Sequence, residues 1–166
     1  MNIEEQYRRL APKLTNWLVA SGSSYHEACD LVQNTFLKIW QMRDDIRDDT
    51  SELSGLVFTI ARNLRKNLAR DNSRIAFVDE IKDEDAGSID PADSPSDAAY
   101  LRRRLNDALA KLPPILRDAF TLFQIAEMPI KEVARQTGVT ENVVKVRVFR
   151  AKAKLKEILA DLRVTF

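Results

Sequence analysis

The chain has 166 residues, 45% of them apolar and 31% charged, with four glycines and a net charge of +1, a profile for one ordinary globular domain or two small ones. Its single cysteine, Cys29, excludes an internal disulfide, and with only His26 beside it there are too few ligands for a zinc site, so no metal is expected. No apolar run approaches the roughly 18 residues that cross a bilayer, and the charged Met1–Arg9 start is unlike a signal peptide, so a cytoplasmic protein without membrane insertion is expected.

Helical periodicity fills two blocks. In the first, the opening helix meets Pro12, which either starts a second segment or kinks one long helix. Ser21-Gly22-Ser23-Ser24 is a turn with a helix-start signal; the next helix runs to about Met42, and an Asp/Arg-rich loop reaches Thr50. A third helix begins near Ser51 or Glu52 and continues past Leu68. Residues 75–96 hold Gly87, Pro91, Pro95 and most of a run of acids, and are expected to form a flexible linker. The second block divides into helices over Asp97–Lys111, Pro113–Ala126, Pro129–Gln136 and Glu141–Leu162. The expected fold class is all-α, with two small helical domains, 1–74 and 97–166, joined by the acidic linker.

Charge is segregated although the total is nearly neutral. Arg62–Arg74 carries five basic residues against one acid, and Lys145–Lys156 carries six against none, whereas Asp79–Asp97 carries eight acids against one lysine. Clustered basic charge is a footprint of phosphate binding. The helix containing CDLVQNTFLKIWQ is apolar almost all round: Ala28, Leu31, Val32, Thr35 and Ile39 share one stripe, while Leu37 and Trp40 lie away from it beside Asp30, Gln33 and Gln41. It is either a fully buried bundle helix or one with a protein-binding face. In the third helix Leu53, Leu56, Val57, Ile60, Leu64 and Leu68 face inward, with Arg62, Arg65 and Lys66 opposite and Phe58 nearby. An exposed aromatic among basic residues suits single-stranded DNA; the alternative is a solvated basic face with Phe58 at the edge of the core.

The segment PIKEVARQTGVTENVVKVRVFRAKAKL carries the sharpest signal. A short helix ends at Thr137-Gly138, and Thr140 caps a second, the arrangement of a helix-turn-helix whose second helix enters the major groove. Val144, Val148, Ala151, Leu155, Ile158, Leu159 and Leu162 form its core stripe. Asn142, Lys145, Val146, Phe149 and Arg150 fall on the outer face, where they suit base edges, thymine methyls and phosphates.

DLVQNTFLKIW, FTIARN, LPPILRDAF and GVTENVVKVRVFRAKAKL, collinear from about Tyr7 to Leu159, resemble the extracytoplasmic-function (ECF) class of bacterial RNA polymerase sigma factors. The resemblance implies that the first block is sigma region 2, with Asp30, Gln33, Leu37, Trp40 and Gln41 docking on the clamp helices of the largest polymerase subunit. Phe58, Arg62, Asn63, Arg65, Lys66 and Arg70 would recognise and help to melt the −10 promoter element. Region 4 would read the −35 element through Asn142, Lys145, Val146, Arg147, Phe149 and Arg150, and part of it would grip the flap of the second-largest subunit. It also implies an anti-sigma factor as partner and a free monomer. Leu56, Asn67, Val146 and Pro129 depart from the family's usual tryptophan, aspartate, serine and serine, the first three at positions that bear on promoter opening and preference. With no phosphate loop, metal cluster or nucleophile–base pair evident, neither a cofactor nor an enzymatic activity is expected. Two rivals remain at this stage: a sigma mimic that binds an anti-sigma factor without touching DNA, and a dimeric helix-turn-helix regulator of a palindrome.

Overall fold

The structure, a computed structural model, describes residues 2–46, 50–76 and 97–166. Apart from its first two residues, the expected linker lies outside the described residues. Helix α1 spans Ile3–Ala20, opened by Asn2, whose side chain accepts from the Glu5 N–H at 3.2 Å. Pro12 lies inside this one helix and does not divide it. Leu10, Leu14, Trp17 and Leu18 recur at helical spacing and are buried. Helix α2, Tyr25–Gln41, starts at Ser24, whose hydroxyl accepts from Glu27 N–H at 3.1 Å, a cap of the kind worth about 1 kcal/mol. Helix α3 covers Thr50–Ala76.

The second block contains α4 (Asp97–Ala110), α5 (Pro114–Phe120), α6 (Ile130–Thr137) and α7 (Glu141–Ile158). The expected helix over Pro113–Ala126 is α5 followed by one wide π-helical turn, Thr121–Ile125, closed by Ala126 N–H to the Thr121 carbonyl at 2.9 Å. Gly138 (φ +70°) ends α6, and the Thr140 hydroxyl caps α7 by accepting from Val143 N–H at 3.3 Å. Pro129 stands one position before the first turn of α6, where its missing N–H costs nothing and its carbonyl accepts from Val133 N–H at 3.0 Å. The described residues contain no strand.

The two blocks do not stand apart. One continuous apolar cluster joins Leu14, Trp17, Leu31, Phe36, Val57 and Phe58 of the first block to Leu122, Met128, Val133, Val144 and Val148 of the second. A second cluster, around Leu109, Phe120, Leu155 and Leu159, takes in Ala20 from the end of α1. Helix α1 therefore serves both blocks, and the ion pair of Lys13 with Glu127 (2.7 Å) links them at the surface.

Candidate nucleic-acid and partner interfaces

The α7 stripe is buried as the sequence predicts: Val144, Val148, Ala151, Leu155 and Leu159 are inside, with Ile158 and Leu162 half-buried. Opposite it, Asn142, Lys145, Val146, Phe149 and Arg150 are all exposed, Phe149 to 74% and Val146 to 46%. Arg147 is half-buried on the flank. Val146 has company that the sequence reading missed. With Ile115, Leu116 and Val143 it lines a groove of about 730 Å³ between α5 and α7, rimmed by Arg147, Arg150 and Lys154. On the other flank Phe149 lines a smaller hollow with Phe123 and Ile130, where the Lys152 ammonium lies 5.9 Å from the Phe123 ring centre. A protruding apolar ridge between basic rims can enter a groove of DNA or an acidic protein cleft. The signal for Ile115 and Val143 was present, an apolar residue beside each helix start, but packing could not be told from exposure there.

On α2 the fully buried alternative fails. Ala28, Leu31, Val32, Thr35, Phe36 and Ile39 are buried, whereas Leu37 and Trp40 are 54% and 51% exposed, and Asp30, Gln33 and Gln41 are exposed with them. The Arg43 guanidinium lies 4.3 Å over the Trp40 ring and donates to the Trp40 carbonyl at 2.8 Å, holding the indole in place. A large aromatic anchor kept in solvent among polar neighbours has the composition of a protein-binding hot spot.

On α3 one expectation is corrected. Phe58 is 2% exposed, edge-on to Trp17 with ring centres 5.4 Å apart, so it is a core residue and offers no stacking surface to DNA. Helix α1 packs over the flank of α3 that the arginines share, which a single inward stripe could not reveal. The other residues expected at the −10 element divide. Asn63, Lys66 and Arg70 are exposed. Arg65 is half-buried and donates to the Ser21 carbonyl; burial, with Arg117 and Arg62 nearby, lowers its pKa from the usual arginine value against the opposing pull of Asp118 and Glu27. Arg62 donates to the Gln136 carbonyl of α6 at 2.8 Å. The Gln136 side chain reaches back, its amide nitrogen 2.9 Å from Thr59 Oγ1 and 3.2 Å from the Gly55 carbonyl. Gly55, Thr59 and Gln136 were invisible as a group in the sequence.

No helix among the described residues is long and apolar enough to cross a membrane, and none of them form a cluster of three or more His, Cys, Asp or Glu fit to hold a metal. The model of sigma-70 region 2 matches residues 6–75, and that of sigma-70 region 4 matches residues 102–155. The chain is 29% identical over 163 residues to the RNA polymerase sigma factor CarQ of Myxococcus xanthus, covering 97% of this chain and 91% of that one. It is 26% identical to the ECF RNA polymerase sigma factor SigM of Bacillus subtilis, over 95% of both chains. Its fold resembles that of the sigma factor RpoE of Bartonella quintana, solved in complex with the anti-sigma factor NepR, with a TM-score of 0.72, 26% identity, and coverage of 95% and 96% of the two chains. Two sigma regions in order, on a fold of the same shape, place this chain in the ECF class of RNA polymerase sigma factors.

Proposed function

We propose that the chain is a promoter-specificity subunit working in the cytoplasm, with catalysis left to the polymerase core and no cofactor of its own. The observation that carries this reading is the division of exposed chemistry between the blocks: apolar Leu37 and Trp40 on α2, and a ridge on α7 where exposed Val146 and Phe149 stand among Lys145 and Arg150. Asp30, Gln33, Leu37, Trp40 and Gln41 dock on the clamp helices of the largest core subunit. Asn63, Lys66 and Arg70, joined by Arg62 and Arg65 once these are freed, contact the −10 element. Asn142, Lys145, Val146, Arg147, Phe149 and Arg150 read the −35 element, and another part of the second block grips the flap of the second-largest subunit. The test is run-off transcription with purified core polymerase on a randomised promoter library. Transcripts that need this protein, enriched in a two-part sequence, support the reading; no transcripts and no core binding defeat it in favour of a sigma mimic.

Arg150→Ala and Phe149→Ala should each weaken binding to −35 duplex about tenfold, within the roughly 1–3 kcal/mol that one good base contact supplies. Affinity for core polymerase should be unchanged, as read by fluorescence anisotropy; equal loss of both affinities would mean the α7 face serves the polymerase instead. Control by an anti-sigma factor follows from the same exposed faces and from the Bartonella quintana relative, which was captured with one. Tagged protein recovered from cells under non-inducing conditions should bring down a further protein besides polymerase subunits, and its absence under every condition would refute that control.

A further inference from the structure

We infer that Val146 reads the 5-methyl group of a pyrimidine in the −35 element, so that promoter choice depends on a base methyl group at one position. The inference rests on the sigma reading above and names the chemistry that one position of the α7 face selects. Asn142, Val146 and Arg150 stand at intervals of four residues and are all exposed, so they form a single row along α7. Each step rises about 6 Å, and the row spans about 12 Å, room for about four base pairs at 3.4 Å each. Its two ends carry donors of the kind that pair with base edges, asparagine with adenine and arginine with guanine. Its middle carries a branched hydrocarbon, 46% exposed.

A merely apolar protein cleft would leave the Asn142 and Arg150 ends without partners, and bare phosphate would leave Val146 in water. The major groove of a duplex offers polar edges and methyl groups side by side. Opposite Val146, an amino or carbonyl group on a base edge would lose its water and gain no hydrogen bond, which is costly. A 5-methyl group in the same place leaves water favourably. The surroundings reinforce the choice. Val143 is 38% exposed one turn away, and Ile115 and Leu116 of α5 extend the apolar floor beside Val146. Arg147 and Lys154 rim that floor and suit phosphates next to the base. Phe149 lies on the opposite flank with Lys145, in a separate row. A serine at position 146 could hydrogen-bond to more than one base, so the valine narrows the choice. Thymine carries the methyl group in unmodified DNA, and 5-methylcytosine carries it at the same place in methylated DNA.

The test uses the full chain assembled with core polymerase, on a fluorescent duplex of the promoter that the randomised library selects, with affinity read by anisotropy. Each thymine of the −35 element, on either strand, is replaced in turn by deoxyuridine, which keeps the base pair and removes only the methyl group. At one position the replacement should weaken binding about fourfold, the factor that corresponds to about 0.8 kcal/mol for one buried methyl. With Val146→Ser the thymine and uracil duplexes should bind alike at that position. Val146 is half in solvent, so this variant should keep the wild-type unfolding midpoint. In a parallel arm each −35 cytosine is given a 5-methyl group. A fourfold gain at one of them, absent in Val146→Ser, would support the inference with 5-methylcytosine as the base. No methyl effect at any position would overturn it. Methyl effects that are all unchanged in Val146→Ser would overturn it too, and assign them to Phe149. Holoenzyme that binds no promoter would defeat the sigma reading and this inference with it, whereas tight promoter binding indifferent to methyl groups would defeat this inference alone.

Discussion

Phe58→Ala should lower stability by about 3–5 kcal/mol, the usual cost of emptying a buried phenylalanine site. The ring is closed in by Trp17, and its removal leaves a void at the point where α1 crosses α3. Domains of this size have about 5–15 kcal/mol in total, so the loss is a large fraction, equivalent to a fall of about 10 °C in Tm. Urea unfolding followed by circular dichroism checks it through a lower midpoint at unchanged slope. An unaltered midpoint with selective loss of single-strand binding would restore Phe58 to the DNA-contacting set. Phe58→Leu keeps most of the volume, so it should lose clearly less than the alanine variant and yield folded protein for binding assays.

Trp40→Ala should reduce affinity for core polymerase at least thirtyfold with no change in unfolding midpoint. A hot-spot tryptophan contributes about 2 kcal/mol or more on truncation, and half of this one is in solvent when the protein is free, so little folding energy depends on it. Arg43→Ala, which removes the guanidinium over the ring, should give a smaller effect in the same direction through lost preorganisation. Titration of labelled protein with core enzyme measures both. Wild-type affinity in Trp40→Ala would leave α2 without its assigned partner.

What could be seen in the sequence was what a single helix fixes. The α7 stripe, the Gly138 stop, the Thr140 cap and the exposed ridge at Val146 and Phe149 follow from a 3.6-residue period and local capping chemistry, and each is where that chemistry puts it. Leu37 and Trp40 were ambiguous because an apolar residue off the main stripe can face either a second neighbour or solvent; only the packing of α1 and α3 on the other side of α2 decides. Phe58 was misplaced for the converse reason. Its flank of α3 carries Arg62 and Arg65, so it resembled an outer face, yet α1 covers it and leaves the arginines to find carbonyl partners at Ser21 and Gln136. The contact of α6 with α3 was beyond reach altogether, since neither Gly55 nor Gln136 has any periodic or capping signature and their meeting depends on how two separately legible blocks dock. The partition at residues 74 and 97 did not foretell that the blocks share a core.

The wide turn at Thr121–Ile125 has a consequence for how this protein tolerates insertions and deletions. A π-helical turn holds one residue more than the α-helical turn it replaces. Deleting a single residue there would replace the five-residue turn with a four-residue one, and the chain after it would keep nearly the same bearing around the helix axis. Val144 and Val148 would then keep to the core, and the ridge at Asn142, Val146 and Phe149 would keep its aim. The wide turn works as slack in the chain, a place where one surplus residue is taken up without re-aiming α7.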